Sequence, residues 1–180
     1  MQMILAAMLA VASFSGAPAQ PPMTVRDATR TALDDATIVA IFDAANTADI
    51  ETSALGAKKA TTQQIRDYAA MLVTAHTSVR QQGRDLAKRL GVTPTPPKDD
   101  PAVAQHAAAM KKLRALSGKA FDRAFLEHEI AYHKAVIAAV QTTLLPAIQN
   151  ADVRALVVKV APVFVQHQGA AEQLLAGMSK

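Results

Sequence analysis

The sequence contains no cysteine and no tryptophan. The first absence excludes disulfides, thiolate metal sites, iron–sulfur clusters, c-type haem attachment and cysteine nucleophiles together, so any metal must be held by nitrogen and oxygen. Aromatic residues make up only 4% of the chain, five Phe and two Tyr, whereas 51% of positions are hydrophobic. The aromatic and β-branched clusters that mark strands are therefore sparse, and the abundant Ala, Leu, Gln, Lys and Arg favour helix. Charge of neither sign is gathered into a block: nineteen Lys and Arg against fifteen Asp and Glu give +4, spread along the chain. This argues against a nucleic-acid surface. Neither a phosphate-cradling glycine loop nor a Gly-x-Ser-x-Gly elbow is present. At 180 residues the chain suits one domain with a sizeable core.

What is present begins with a short apolar run from Met3 to Phe14, followed by Ser15-Gly16 and the small-x-small triplet Ala17-Pro18-Ala19. The pattern predicts a signal peptide over residues 1–19, too short for a permanent membrane span, and export as a soluble periplasmic protein. No cysteine follows that could carry a lipid anchor, and no later segment predicts stable membrane insertion. Residues 20–36 read as an N-terminal extension starting with Gln20-Pro21-Pro22, and residues 37–178 as an all-α domain.

Four long helices are predicted from apolar spacing. The first runs from about Asp35 to Ala60, with Ile38, Ile41, Ala45, Ala48 and Leu55 on one stripe and Glu51 between them. Thr61-Thr62 offers a cap for the second, whose seam Ile65, Ala69, Leu72, His76, Val79, Gly83, Leu86 and Leu90 ends at Gly91. The stretch VTPTPPKDDP is a linker because prolines forbid regular structure there. A short helix from about Ala102 to Leu116 follows. Together they make a connection suited to a crossover along a four-helix bundle. The third long helix spans about Lys119 to Leu145, where Pro146 ends it, and the fourth about Ala151 to Met178, with Pro162 inside.

Three of the five histidines, His76, His133 and His167, occupy seam positions on three different helices. His106 lies in the crossover helix, and His128 is about 140° round from His133, facing outward. His76, His133, His167 and Glu51 lie within about 5 Å of the common midplane at 1.5 Å per residue, and Glu129 sits one turn before His133. Buried imidazoles and carboxylates need partners, and one divalent cation satisfies them together. The set Glu51, His76, Glu129, His133 and His167 predicts a site for one transition metal, zinc first, with copper, iron and manganese also compatible. The residues three before His76, His133 and His167 are Val73, Ile130 and Phe164, so the Glu-x-x-His pattern of carboxylate-bridged di-iron bundles is missing.

The stretches AANTADIE (Ala44–Glu51), MLVTAHTSV (Met71–Val79), FDRAFLEHEIAYHKAVIAAV (Phe121–Val140), LLPAIQNADVRALV (Leu144–Val157) and APVFVQHQGAAEQL (Ala161–Leu174) resemble a bacterial envelope family. Its members are exported, ferritin-like four-helix domains of unknown function, often labelled outer membrane proteins. The resemblance covers about Thr37 to Leu175. It implies a ferritin-like four-helix bundle and carries over Glu51, His76, Glu129, His133 and His167 by match to the family's motifs. The outer-membrane label finds no barrel pattern of alternating strands in this chain.

Three functional readings follow. One is a periplasmic metal-binding bundle. Another is a metalloenzyme with an open coordination position and Glu129 as supporting base, its catalytic residues otherwise unknown. The third is a metal-free envelope stress or interaction bundle with a polar His/Glu core, whose helices bind an envelope protein partner.

Overall fold

The computed structural model describes residues 33–178, and every regular element among them is helical. The expected signal segment 1–19 and residues 20–32 of the extension lie outside the described residues. Capping sets most boundaries. Asp34 accepts a hydrogen bond from the Thr37 N–H at 2.7 Å and opens α1 (Asp35–Lys59). Thr62 opens α2 (Gln63–Leu90), which Gly91 closes at φ 66°, a conformation that glycine adopts without strain. Residues 92–100 form no helix, and Asp100 caps α3 (Pro101–Ala115). After α4 (Gly118–Ala139) come a π-helical turn, Val140–Leu144, and a single turn, α5 (Leu145–Ala147). Asn150 then caps α6 (Ala151–Gly177).

The proline residues act differently from one another. A regular helix was expected to end at Leu145 before Pro146, but α-geometry gives way to a π-turn after Ala139 and resumes over Leu145–Ala147, so Pro146 lies inside the last turn. Pro146 has no N–H to offer the carbonyl one turn earlier and crowds it, so regularity is lost ahead of the ring. Helix α6 instead runs unbroken through Pro162. The carbonyl left over belongs to Val158, a residue 54% exposed, where water can serve it.

Hydrogen bonds between helices define their directions. Arg80 donates to the Thr47 hydroxyl and Arg84 to the Asp43 carboxylate, so α1 and α2 are antiparallel. Contacts of His76 with His167 and of Lys159 with Gln82 make α2 and α6 antiparallel. Tyr132 donates to the Ala45 carbonyl, and Asp122 accepts from the Thr61 N–H at 2.9 Å, so α4 also opposes α1. Helices α2 and α4 are therefore parallel, and the chain joining them must travel back along the molecule. Helix α3 lies on that return, held where Lys59 donates to the carbonyls of Leu113 and Arg114.

The buried apolar side chains form two groups. One contains Ile38, Phe42, Val79, Val140, Val157 and Phe164; the other contains Ile65, Leu72, Leu113, Phe121, Phe125 and Leu126. Between them along the helices lies a buried polar layer of Asn46, Asp49, Ser53, His76, Glu129, His133 and His167.

Close helix approach depends on Gly56. An added Cβ there would stand 2.5 Å from Cζ of Phe125. Alanine is the better helix former by about 1 kcal/mol, yet Gly56→Ala should destabilise the protein by roughly 1–3 kcal/mol through overpacking. Phe125→Leu in the same background should recover part of that loss. Chemical denaturation measures both, and a more stable single variant would contradict the packing described.

Candidate metal centre

Each long helix contributes to the polar layer. Asn46, Asp49 and Ser53 share the inner face of α1; His76 comes from α2, Glu129 and His133 from α4 one turn apart, and His167 from α6. All seven are buried. The three imidazole rings stand 5.1 to 5.5 Å apart, centroid to centroid. Phe164 stacks on His76 at 5.6 Å and closes the layer towards the first apolar group.

The hydrogen bonds determine where each imidazole proton sits. Asn46 Nδ2 donates to the Phe42 carbonyl at 2.8 Å, which leaves Asn46 Oδ1 as the acceptor for His76 Nδ1–H at 2.9 Å. His133 Nδ1–H donates to the Glu129 carbonyl, also at 2.9 Å. Both rings therefore direct an Nε2 lone pair into the layer. His76 Nε2 lies 3.2 Å from His167 Nδ1 and 3.5 Å from Asp49 Oδ1, and His133 Nε2 lies 3.7 Å from Asp49 Oδ2. His167 Nδ1 carries a proton here, because two lone pairs would not face each other at that separation.

Burial sets the protonation states. It pushes the Asp49 carboxyl up to about 7, against the opposing effect of the Ser53 hydroxyl, which donates to Asp49 Oδ1 at 3.0 Å. Glu129 is also raised, by burial and by the neighbouring charge of Asp49. The imidazoles move the opposite way: burial holds His76 at about 3 and His133 and His167 at about 4. Asp49 Oδ2, both Glu129 carboxyl oxygens and His133 Nε2 are buried with no hydrogen-bond partner among the described residues.

Two overlapping donor triads result, His76–His133–His167 and Asp49–Glu129–His133, each with its ligand atoms within 4.8 Å of one another. A tetrahedral shell with bonds of about 2.0–2.1 Å spaces its donors roughly 3.3 Å apart. The His76–His167, His76–Asp49 Oδ1 and His133–Asp49 Oδ2 separations fall close to that spacing.

The structure gathers four of the five expected residues and leaves out one. Glu51 is exposed and pairs with His106 Nε2 at 2.9 Å, on the outside of α1. Asp49, two positions earlier and thus on nearly the opposite face, provides the inner carboxylate instead. His128, expected to face outward, is half-buried and stacks on Tyr132 with centroids 5.8 Å apart. Asp49 was missed because the apolar stripe Ile41, Ala45, Ala48 was taken as the inner face. The spacing of Phe42, Asn46, Asp49, Ser53 and Gly56 would have found it.

Residues 20–174 match the model of a family described as a domain of unknown function, DUF4142. No curated protein and no solved structure shows a significant match to the chain.

The protonation states predict how metal-free protein, held in chelator, responds to pH. Above the ordinary histidine value of 6.5 the imidazoles are neutral in both folded and unfolded chains. Only the raised acids then count, and their stabilisation, complete at low pH, is lost as pH climbs through their folded values. Below 6.5 the unfolded histidines gain protons that the folded ones refuse, and four lowered histidines, His128 included, outweigh two raised acids. Thermal stability should therefore peak near pH 6.5 and decline on either side. Glu129→Gln should flatten the alkaline decline, worth up to about 1.4 kcal/mol per pH unit for one proton. A melting temperature rising steadily from about pH 5 to about pH 8 would contradict these assignments.

Proposed function

The chain belongs to the DUF4142 family, and we propose that it binds one divalent transition-metal ion in the interior of its helical bundle. His76 Nε2, His133 Nε2, His167 Nδ1 and an Asp49 oxygen are the ligands, and Glu129 sits beside them as a second carboxylate. One observation carries this reading: beside the three imidazoles, Asp49 Oδ2, both Glu129 carboxyl oxygens and His133 Nε2 are gathered in the interior with no hydrogen-bond partner among the described residues. An unpaired buried polar group costs about 1–3 kcal/mol, and more when charged, so a cluster of them persists where something else satisfies it. Three neutral nitrogens and a carboxylate suit zinc, with copper, iron and manganese as competitors.

The protein is proposed to work in the periplasm after removal of residues 1–19, on the strength of the apolar run and the Ala17-Pro18-Ala19 triplet. No helix among the described residues is long and apolar enough to cross a membrane. The bundle is read as ferritin-like on two supports, the resemblance noted in the sequence and the parallel α2 and α4 joined by a long return. An envelope protein partner belongs to the alternative reading of a metal-free bundle with a polar core.

Elemental analysis of untagged protein, followed by titration with Co²⁺ or Zn²⁺, tests the site. About one metal per chain is expected, with none retained by His133→Ala and affinity at least tenfold weaker for Asp49→Asn. Glu51→Gln should bind as wild type does. A folded wild type that neither carries nor takes up metal would overturn the proposal, and equal losses in the Glu51 and Asp49 variants would overturn the ligand assignment.

A further inference from the structure

Beside the polar layer, between α1 and α4, lies a pocket of about 70 Å³. Phe42, Ala139, Val140 and Leu144 provide apolar walls, and His76 and His133 line its inner end. The π-helical turn Val140–Leu144 forms part of the wall, so the pocket borders an irregular stretch of backbone where π-turns tend to mark function.

Its polar neighbours are few, and their donors are engaged with protein groups, so only scattered acceptor positions such as His133 Nε2 and the Tyr132 oxygen are left. Asn46 is engaged through both side-chain atoms, by the Phe42 carbonyl and His76. The Tyr132 hydroxyl donates to the Ala45 carbonyl at 2.7 Å. His76 Nδ1 and His133 Nδ1 are both committed, and the two Nε2 atoms face Asp49. A buried water needs two to four polar partners, and a hydrated anion needs more; this pocket supplies neither. A small uncharged apolar molecule needs only volume and dispersion contact.

We propose that this pocket binds an apolar molecule of diatomic-gas size, dioxygen being the chemically reactive member of that class, and holds it against the imidazoles of His76 and His133. The use of such a ligand rests on the metal-binding reading, but the existence of the site does not. No covalent or redox step is part of the proposal.

Xenon tests the pocket directly, in crystals of metal-free and metal-loaded protein pressurised with the gas. One xenon between Phe42 and Ala139 is expected in both, and Ala139→Leu should lose it. If that variant does not fold, Ala45→Leu fills the same space from α1. In solution, the absence of tryptophan leaves tyrosine emission visible. With Tyr68→Phe as background, dioxygen should quench Tyr132, and Ala139→Leu should reduce the quenching at least about twofold. No xenon in the folded wild type, or ordered water in its place, would overturn the proposal. Metal content measured on the same crystals separates the two readings: xenon bound in protein that cannot take up metal sustains the pocket and removes the metal site.

Discussion

A polar atom that gives up water on folding must find a new partner, and the middle of this bundle holds four that have none among the described residues. Much of the architecture can be understood as a means of bringing them there. Asn46 and the Glu129 carbonyl hold His76 and His133 so that their Nε2 atoms point inward. Ser53 steadies Asp49. Phe164 lies flat against His76 and keeps solvent from that side. None of these supports would be required by an apolar core, and together they arrange donors with spacings suited to a cation. The low histidine and high carboxyl values express the same strain in the metal-free protein: each group is pushed towards its neutral form because no counter-charge is at hand.

The connection between α2 and α4 has a physical reason of its own. Parallel helices cannot be joined by a tight turn, so the chain must run back the length of the pair. Prolines keep the first part of that return extended, and α3 covers the flank of α1 and α4, where Met110 and Leu113 are buried. Lys59 anchors the end of α3 through the carbonyls of Leu113, which also accepts from the Leu116 N–H, and Arg114. At the other end, Asp35 accepts from the backbone N–H groups of Gln149 and Asn150, tying the start of α1 to the turn before α6.

Most of the helical layout was legible in the sequence, because caps and apolar seams agree there. The seam from Ile65 to Leu86 is buried at every position read from it, as are Val153, Val157, Val160, Phe164, His167 and Ala171 on α6. Helix α1 misled for a physical reason. Its buried face contains Asn46, Asp49, Thr52, Ser53 and Gly56, so hydrophobicity no longer distinguishes inside from outside. A reading that assumes oily interiors selects the flank with Ile41 and Ala48 and with it Glu51. The two-residue error placed an exposed carboxylate in the site and hid the buried one. Irregularity before Pro146 was equally hidden, since spacing alone does not say how far upstream a proline disturbs its helix.

The polar layer also divides the apolar interior into two groups that share the four long helices but touch few of the same side chains. Cooperativity in a small protein comes from a continuous core, and here the continuity passes through a polar layer whose hydrogen bonds leave Asp49 Oδ2, both Glu129 oxygens and His133 Nε2 unengaged. An ion bound by residues from α1, α2, α4 and α6 would join the halves into a single unit that opens all at once. Occupancy would then be visible far from the ligands, in the exchange of backbone amides at both ends of the bundle, because it determines whether the molecule unfolds as one body or as two.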